Sequence, residues 1–213
     1  MPHPIRRILV AVKELDIVDF SAGKKAAQLA RRLNAELCLF HALTEPLYLE
    51  AVCLDEQPVA QAEQATLKEV RSRLEKMAAH LRSESLKVTT AAAWDYPSHD
   101  AVIRAAQRLG ADLVVVDCPR HKHTAPWFLH FTDWELLRKC PMPVLLIKNH
   151  QLYQRAPVLA ALDPEHAQGK PASLDLDILD YGSSLASALD DHLQAVHAFN
   201  PIIDMSMSEV VVP

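Results

Sequence analysis

Short apolar runs alternate along the chain, up to residue 149, with longer segments whose apolar side chains recur at helical spacing. Five runs predict strands: "RRILVAV" (6–12), "AELCLFHAL" (35–43), "LKVTTAAAW" (86–94), "ADLVVVDC" (111–118) and "PVLLIKN" (143–149). Strands that alternate with helices, and that are apolar almost throughout, indicate a parallel sheet. We therefore predict an α/β fold in which a five-stranded parallel sheet is flanked by helices in a Rossmann-like way.

The segments between these runs predict the helices. One follows Phe20 in "KKAAQLARRLNA", and the others cover about 58–84, 97–110 and 131–140. Gly110 is expected to end the third helix, and Thr132 or Asp133 to cap the start of the fourth. These elements complete a first domain at residues 1–149.

After residue 149 the pattern begins again. "APVLAALDP" (156–164) repeats the opening strand, 173–189 repeats the first helix, and 192–199 repeats the second strand. A complete copy needs a further long helix and three more strands. We therefore interpret 156–213 as the N-terminal part of a second, truncated domain.

Composition narrows the functional classes. The 213 residues carry 22 basic and 27 acidic side chains, a net charge of −5, with no basic stripe or tail, which makes nucleic acid an improbable partner. No apolar run approaches the roughly 20 residues that a membrane-spanning helix needs. The four cysteines are irregularly spaced and lack a C-x-x-C pair, which argues against a disulfide framework and favours a cytoplasmic protein.

The loop after the fourth predicted strand carries the most unusual residues. Ligands of such sheets bind beyond the carboxyl ends of the strands, so the loops after strands 1 and 4 are the places to look for a site. The stretch "DCPRHKHTAPWFLHF" (117–131) has a cysteine, three histidines and several aromatic residues, and the chain has no glycine from 111 to 168.

Three interpretations of this loop, 117–131, stay open. Cys118, His121 and His123, with His130, are weak candidates for a metal site, because their spacing is not one that recurs in closed zinc sites. Cys118 is a weak candidate for a nucleophile, since Asp117 opposes the thiolate. The apolar residues 127–129 and 131, most of them aromatic, are expected with Trp134 to fill a cleft, to line an apolar ligand pocket or to form an interface.

Three stretches resemble the universal stress protein family, in its tandem, E-type branch. They are the opening "RRILVAV…SAGKKAAQLARRLNAELCLFHAL", the pair "GADLVVV…DWELLRKCPMPVLLIK" and the restart at "VLAALDP". The resemblance implies a five-stranded parallel fold, a cytoplasmic location, pairing through the last strand and, in many members, ATP or AMP binding. For this chain it implies a homodimer, or pairing of the two domains within one chain, through 143–149.

The resemblance also implies a nucleotide site that the first domain has lost. Nucleotide-binding members are similar in having an Asp after strand 1 and a glycine-rich phosphate loop after strand 4. Side chains replace these features throughout: Lys13 stands in place of the Asp, and the loop positions hold Asp117, Arg120, His130 and Phe131.

The second copy keeps Asp163 at the adenine-type position, where the alternative role of an Asp is to begin a turn before proline. We therefore expect a non-catalytic stress-response or binding protein whose first domain uses no nucleotide cofactor. The alternatives are an ATP- or AMP-binding switch, or a weak nucleotide hydrolase, in a complete second domain, and a binding module for an apolar ligand.

Overall fold

A computed structural model of the chain describes residues 4–15, 20–44, 56–83, 86–118, 131–164, 171 and 173–198. The chain divides into two compact units, of which the first is Pro4–Ala156 and the second is Pro157–Pro213 together with Met1–His3. Within the described ranges, no helix combines the length and the apolar character needed to cross a bilayer.

The first unit alternates strands with helices, as the sequence predicts. Its elements are β1 (Arg7–Ala11), α1 (Ser21–Leu33), β2 (Glu36–Leu43), α2 (Glu56–Leu81), β3 (Val88–Trp94), α3 (Ser98–Leu109), β4 (Leu113–Asp117), α4 (Phe131–Lys139) and β5 (Val144–Ile147). Gly110 ends α3 in the left-handed conformation (φ 60°), which costs glycine little because it has no Cβ.

All five strands form one parallel sheet in the order β3-β2-β1-β4-β5, which confirms the predicted fold class. Ile8 pairs with Leu37 on one side and with Leu113 on the other, so β1 lies at the centre. Strand order reverses at β1, because the chain passes from β1 to β3 in one direction and then returns to β4 on the opposite side.

Apolar burial explains why these segments become strands. Residues Ile8, Leu9 and Val10 of β1 and Val114–Val116 of β4 have no exposed surface. Parallel strands covered on both faces have this composition, because neither face meets water.

The fourth helix begins at residue 131, as the sequence predicts, but the predicted cap does not hold. Helix α4 starts at Phe131, so Thr132 and Asp133 lie inside its first turn, and the prediction that one of them caps the helix is wrong. Asp133 is 9% exposed and forms an ion pair with Lys13. The carboxylate thus binds an ammonium group that is distant in sequence.

The second unit contains β6 (Val158–Leu162), α5 (Leu174–Ala188) and β7 (Leu193–His197). β6 and β7 pair in parallel, with Ala160 opposite Ala195. The interpretation of this unit as a partial second copy of the first stays a prediction.

Candidate functional site

A crevice lies at the carboxyl ends of β1 and β4, where the strand order of the sheet reverses. β1 hydrogen-bonds to β2 on one side and β4 on the other; β2 pairs next with β3, and β4 pairs next with β5. Ligands of open parallel sheets bind at such a point, beyond the carboxyl ends of the strands. Lys13 follows β1 and Asp117 ends β4, so both candidates lie at this edge of the sheet.

An ion pair joins the two sides of the crevice. The Lys13 Nζ atom lies 2.6 Å from Asp133 Oδ1, although the two residues are 120 positions apart in sequence. The Asp133 side chain is 12% exposed and that of Lys13 38%, so the pair is partly shielded from water. The pair links the end of β1 to the first turn of α4. The Lys13 ammonium group is therefore bound by a carboxylate of the same chain.

The Asp117 carboxylate caps helix α1 from a neighbouring strand. Its Oδ1 accepts hydrogen bonds from Ser21 Oγ at 2.6 Å and from the Ala22 backbone N–H at 3.1 Å. Helix α1 has no acidic residue in its first turn, and the Phe20 side chain makes no capping hydrogen bond. Asp117 therefore supplies both the missing acceptor and a negative charge at the positive end of the helix dipole.

A buried lysine lies on helix α1 one turn after Ser21. Lys25 is 4% exposed, its Nζ donates to Asn149 Oδ1 at 2.5 Å, and the same atom lies 4.6 Å from the centre of the Tyr153 ring. Burial lowers the pKa of Lys25, and the charge of Asp117 partly offsets this shift. The ammonium group is therefore held between a carboxylate, an amide oxygen and an aromatic face.

The segment that follows β5 is docked on the same helix. Gln28 Nε2 donates to the Tyr153 carbonyl at 2.8 Å, and the Tyr153 N–H donates to Gln28 Oε1 at 3.0 Å. One amide side chain thus satisfies both backbone groups of Tyr153. Neither Lys25 nor Gln28 was among the residues selected from the sequence. A signal for Lys25 existed, because it precedes Leu29 by four positions and so lies on the buried face of α1.

A cleft of about 510 Å³ lies at the ends of β1 and β2 and shares Lys13 with the crevice. Its walls come from the carboxyl ends of β1, β2, β3 and β4 and from helices α2, α3 and α4. Most of the lining is apolar: Ala11, Val12, Leu15, Phe40, Ala42, Leu43, Val70, Trp94, Val102, Val116 and Leu136. A volume of this size suits a small ligand, since binding pockets commonly measure about 300–1,000 Å³.

The charged side chains that line the cleft occur in pairs. Lys13 is bound to Asp133, and Arg73 Nη2 lies 2.7 Å from Glu69 Oε1 within helix α2. His41, also in the lining, uses Nδ1 to contact the Val12 carbonyl at 2.8 Å. The apolar walls are therefore bordered by charges that already have partners within the protein.

Cys118 lies beside the ion pair and is kept in its thiol form. Burial raises the pKa of the Cys118 thiol, and the neighbouring Asp133 carboxylate raises it further, whereas Lys13 and Lys148 lower it by less. A nucleophilic cysteine needs the opposite shift, because the thiolate is the reactive form. This environment does not support the nucleophile hypothesis.

The other loop candidates fall outside the described residues. Arg120, His121, His123, Trp127 and His130 belong to 119–130, so the metal hypothesis and the expectation of a filled cleft stay predictions. Phe131 is the first residue of α4, and Trp134 one turn later is 58% exposed. Across the part of the chain that is described, no group of three or more His, Cys, Asp or Glu residues could hold a metal ion.

Asp163 follows β6 in the second unit, as Lys13 follows β1 in the first. Its backbone N–H lies 3.4 Å from Asp175 Oδ1 in the first turn of α5. His197 Nδ1 lies 3.1 Å from the Leu162 carbonyl, which reproduces the contact of His41 with Val12. The sequence held a signal for this shared contact, since "HA" occurs near the end of both β2 and β7.

Comparison with known proteins adds a family match. Residues 4–148 match the model of the universal stress protein family. The chain is 28% identical over 112 residues to the universal stress protein E homolog of Haemophilus influenzae, covering 51% of this chain and 36% of that protein. It is 21% identical over 190 residues to universal stress protein E of Photorhabdus laumondii, covering 86% of this chain and 60% of that protein.

Two solved structures from Pseudomonas aeruginosa are similar along most of the chain. One, described as a universal stress protein, is 26% identical with a TM-score of 0.67 and matches over 92% of this chain and 63% of its own. The other, of unknown function, is 25% identical with a TM-score of 0.62 and matches over 92% and 61%. The chain therefore spans between about a third and two thirds of the length of these relatives.

Proposed function

The chain belongs to the universal stress protein family, and from that premise we propose that its first unit is a non-catalytic binding module that does not bind ATP. The complete protein, on this proposal, is a cytoplasmic member of the stress response. The ion pair between Lys13 and Asp133 carries the proposal, because it puts a bound ammonium group at the end of β1, where the family resemblance implies a carboxylate for the nucleotide base.

The phosphate side of the crevice supports the same conclusion. Phosphates bind readily at a helix N-terminus, where backbone N–H groups and the helix dipole favour negative charge. Here the Asp117 carboxylate already accepts the Ser21 hydroxyl and the Ala22 N–H at the start of α1. A triphosphate would have to displace this carboxylate and would be repelled by its charge.

The proposal that the unit is non-catalytic rests on how its reactive groups are used. Asp117 and Asp133 are engaged in hydrogen bonds, and the raised pKa of Cys118 keeps its sulfur protonated. The carboxylates beside Cys118 and Ser21 could act as bases, but Asp133 is bound by Lys13 and Asp117 accepts the Ala22 N–H at the start of α1. General acid–base or nucleophilic chemistry requires a base that is available to take up a proton.

Isothermal titration of the full chain with ATP and magnesium tests the proposal. We expect no saturable heat at millimolar nucleotide. Heat that disappears in Asp163→Ala would place a nucleotide site in the second unit, as the switch or hydrolase alternative requires. Heat that persists in Asp163→Ala would refute the proposal for the first unit.

A second candidate function is favoured by the cleft beside the crevice. A volume of about 510 Å³ with mainly apolar walls suits a small apolar ligand better than a charged nucleotide. Mass spectrometry of an organic extract of the purified protein tests this directly. An apolar compound recovered in stoichiometric amount supports the function, and its absence from repeated preparations counts against it.

We further propose that the protein forms a homodimer through 143–149. β5 is an edge strand of the sheet, and Val144, Leu145 and Leu146 remain partly exposed. An apolar edge strand favours pairing with another chain, because its backbone groups lack partners on one side. Light scattering at high micromolar concentration is expected to give the mass of two chains, and a single-chain mass would contradict the proposal.

A further inference from the structure

We propose that the cleft above β1 and β2 binds a neutral, largely apolar small molecule and discriminates against anionic molecules of the same shape. The inference rests on the proposed function, because it assigns a ligand class to the same non-nucleotide unit. It depends on two observations, the apolar walls and the pairing of the charges at the rim.

The walls define an apolar space deep enough to remove a ligand from water. Phe40, Val102, Val116 and Leu136 are between 0% and 9% exposed, so they form a rigid base that belongs to the core of the unit. Helix α2 closes one side with Val70 and Thr66, and Trp94 stands at the end of β3 on another. A ligand that enters this space gains affinity mainly by burying its own apolar surface.

Charge pairing determines which apolar molecules are accepted. Among the described residues, the rim has two cationic side chains, Lys13 and Arg73, and each contacts a carboxylate, at 2.6 and 2.7 Å respectively. The charges of these two pairs sum to zero. An anionic group that approached either cation would meet the neighbouring carboxylate at almost the same distance, and the attraction would be cancelled by repulsion.

The other polar side chains of the lining, as far as the structure describes it, are three hydroxyls and one imidazole. Thr44, Thr66 and Ser98 contribute the hydroxyls, and His41 contributes a ring whose Nδ1 contacts the Val12 carbonyl. Pockets for small molecules typically combine apolar walls with a few such groups, which orient the ligand. The lining thus suits a molecule with at most a few uncharged polar atoms.

Two fluorescent probes with the same ring skeleton test the inference on the full chain. N-phenyl-1-naphthylamine is neutral, and 8-anilinonaphthalene-1-sulfonate carries the same rings with an added sulfonate. We expect the neutral probe to bind saturably at one site, and the sulfonate to bind at least about tenfold more weakly, which is the ratio expected when no charge compensates the desolvation of an anion.

Variants locate the site and test the role of the paired charges. Thr66→Phe, on α2, is expected to fill the cleft and abolish binding of the neutral probe. Glu69→Gln releases Arg73 and is expected to improve the affinity for the sulfonate about two- to fivefold, the range of an exposed ion pair. Asp133→Asn releases Lys13 from a more buried pair, so a gain of about tenfold is expected.

A matched control lies on the same helix. Glu75→Gln also breaks an ion pair, with Arg82, but neither residue lines the cleft. We expect this variant to leave the affinities for both probes unchanged. An equal gain in sulfonate affinity in Glu75→Gln and Glu69→Gln would mean that net charge alone is responsible, and would overturn the inference.

The outcomes separate this inference from the proposed function. The inference is refuted if the wild type binds neither probe, if the sulfonate binds as tightly as the neutral probe, or if Thr66→Phe binds normally. None of these results restores ATP binding, so the proposed function would stand. Displacement of the neutral probe by ATP would instead refute both.

Discussion

Replacing Asp117 by asparagine tests the central electrostatic feature of the crevice. The substitution keeps the size of the side chain and one oxygen acceptor, but removes the negative charge at the start of α1. In the native protein the carboxylate accepts hydrogen bonds from Ser21 Oγ at 2.6 Å and the Ala22 N–H at 3.1 Å. It also offsets part of the desolvation of the buried Lys25.

The expected destabilisation follows from these contacts. A hydrogen bond to a charged group contributes about 1.5–3 kcal/mol and a neutral one about 1 kcal/mol, so neutralising the acceptor of two bonds costs about 1–4 kcal/mol. Losing the charge at a helix N-terminus adds about 0.3–1 kcal/mol. We expect a total near 2–3 kcal/mol, which lowers Tm by about 5–10 °C for a unit of this size.

Urea denaturation followed by tryptophan fluorescence measures this effect in the full chain. All three tryptophans, Trp94, Trp127 and Trp134, belong to the sequence of the first unit, so the signal reports its unfolding. Asp95→Asn is a matched control, because Asp95 forms an exposed ion pair with Arg104 and its loss is expected to cost less than about 1 kcal/mol.

The pH dependence gives a second, independent check. The pKa of Lys25 is lowered in the folded state, mainly by burial, so its protonated form costs stability at neutral pH. This cost becomes smaller as the pH rises toward 10.5, the ordinary pKa of lysine. The reason is that Lys25 loses its proton at a lower pH in the folded state than in the unfolded state. Asp117→Asn removes the attraction that favours the charged lysine, so the stability gap from wild type is expected to narrow as pH rises.

The reasoning would be refuted by a variant as stable as the Asp95→Asn control at pH 7. It would also be refuted by a stability gap that widens on the alkaline side. Either result would mean that Asp117 does not serve as the acceptor for α1 or that Lys25 does not depend on its charge.

Three further predictions concern other parts of the first unit. Gln28→Ala removes both hydrogen bonds to Tyr153, so hydrogen exchange is expected to speed up in 149–153 and to stay unchanged in β1; equal protection in the variant would contradict this. Leu136→Ala empties a site that is 0% exposed and is expected to cost about 2–4 kcal/mol by urea denaturation, whereas its neighbour Leu137→Ala, 47% exposed, should cost less than about 1 kcal/mol. Cys118 should react with iodoacetamide more slowly than an unhindered thiol at pH 7.5 because burial and an adjacent carboxylate raise its pKa; rapid labelling in peptide maps would be the contrary result.

Much of the fold could be predicted from the sequence because its strands are buried on both faces. Runs such as "LVVV" in β4 are recognisable without further information, since a segment that is apolar throughout belongs in the middle of a parallel sheet. Gly110 was predictable for a similar reason, because few other residues adopt the left-handed conformation that ends α3. The start of α4 at residue 131 was also predicted, but its cap was not, because the helix already includes Thr132 and Asp133.

The site was only partly predictable, because its key contacts join residues far apart in sequence. The family resemblance predicts that Lys13 and Asp117 replace residues of a nucleotide site, but it does not predict which groups their charges contact. Asp133 lies 120 positions from Lys13, and Ser21 lies 96 positions from Asp117. Local patterns contain no information about such partners, whereas the sheet brings them together at one edge.

The most direct test of the account is an NMR titration of the full chain with ATP and magnesium, observed at backbone amides. If Asp117 and the pair of Lys13 with Asp133 occupy the nucleotide positions, the amides of Val12, Lys13 and Ala22 will keep their chemical shifts up to millimolar ATP. Saturable shifts at these amides, with the same apparent affinity at each, would contradict the account.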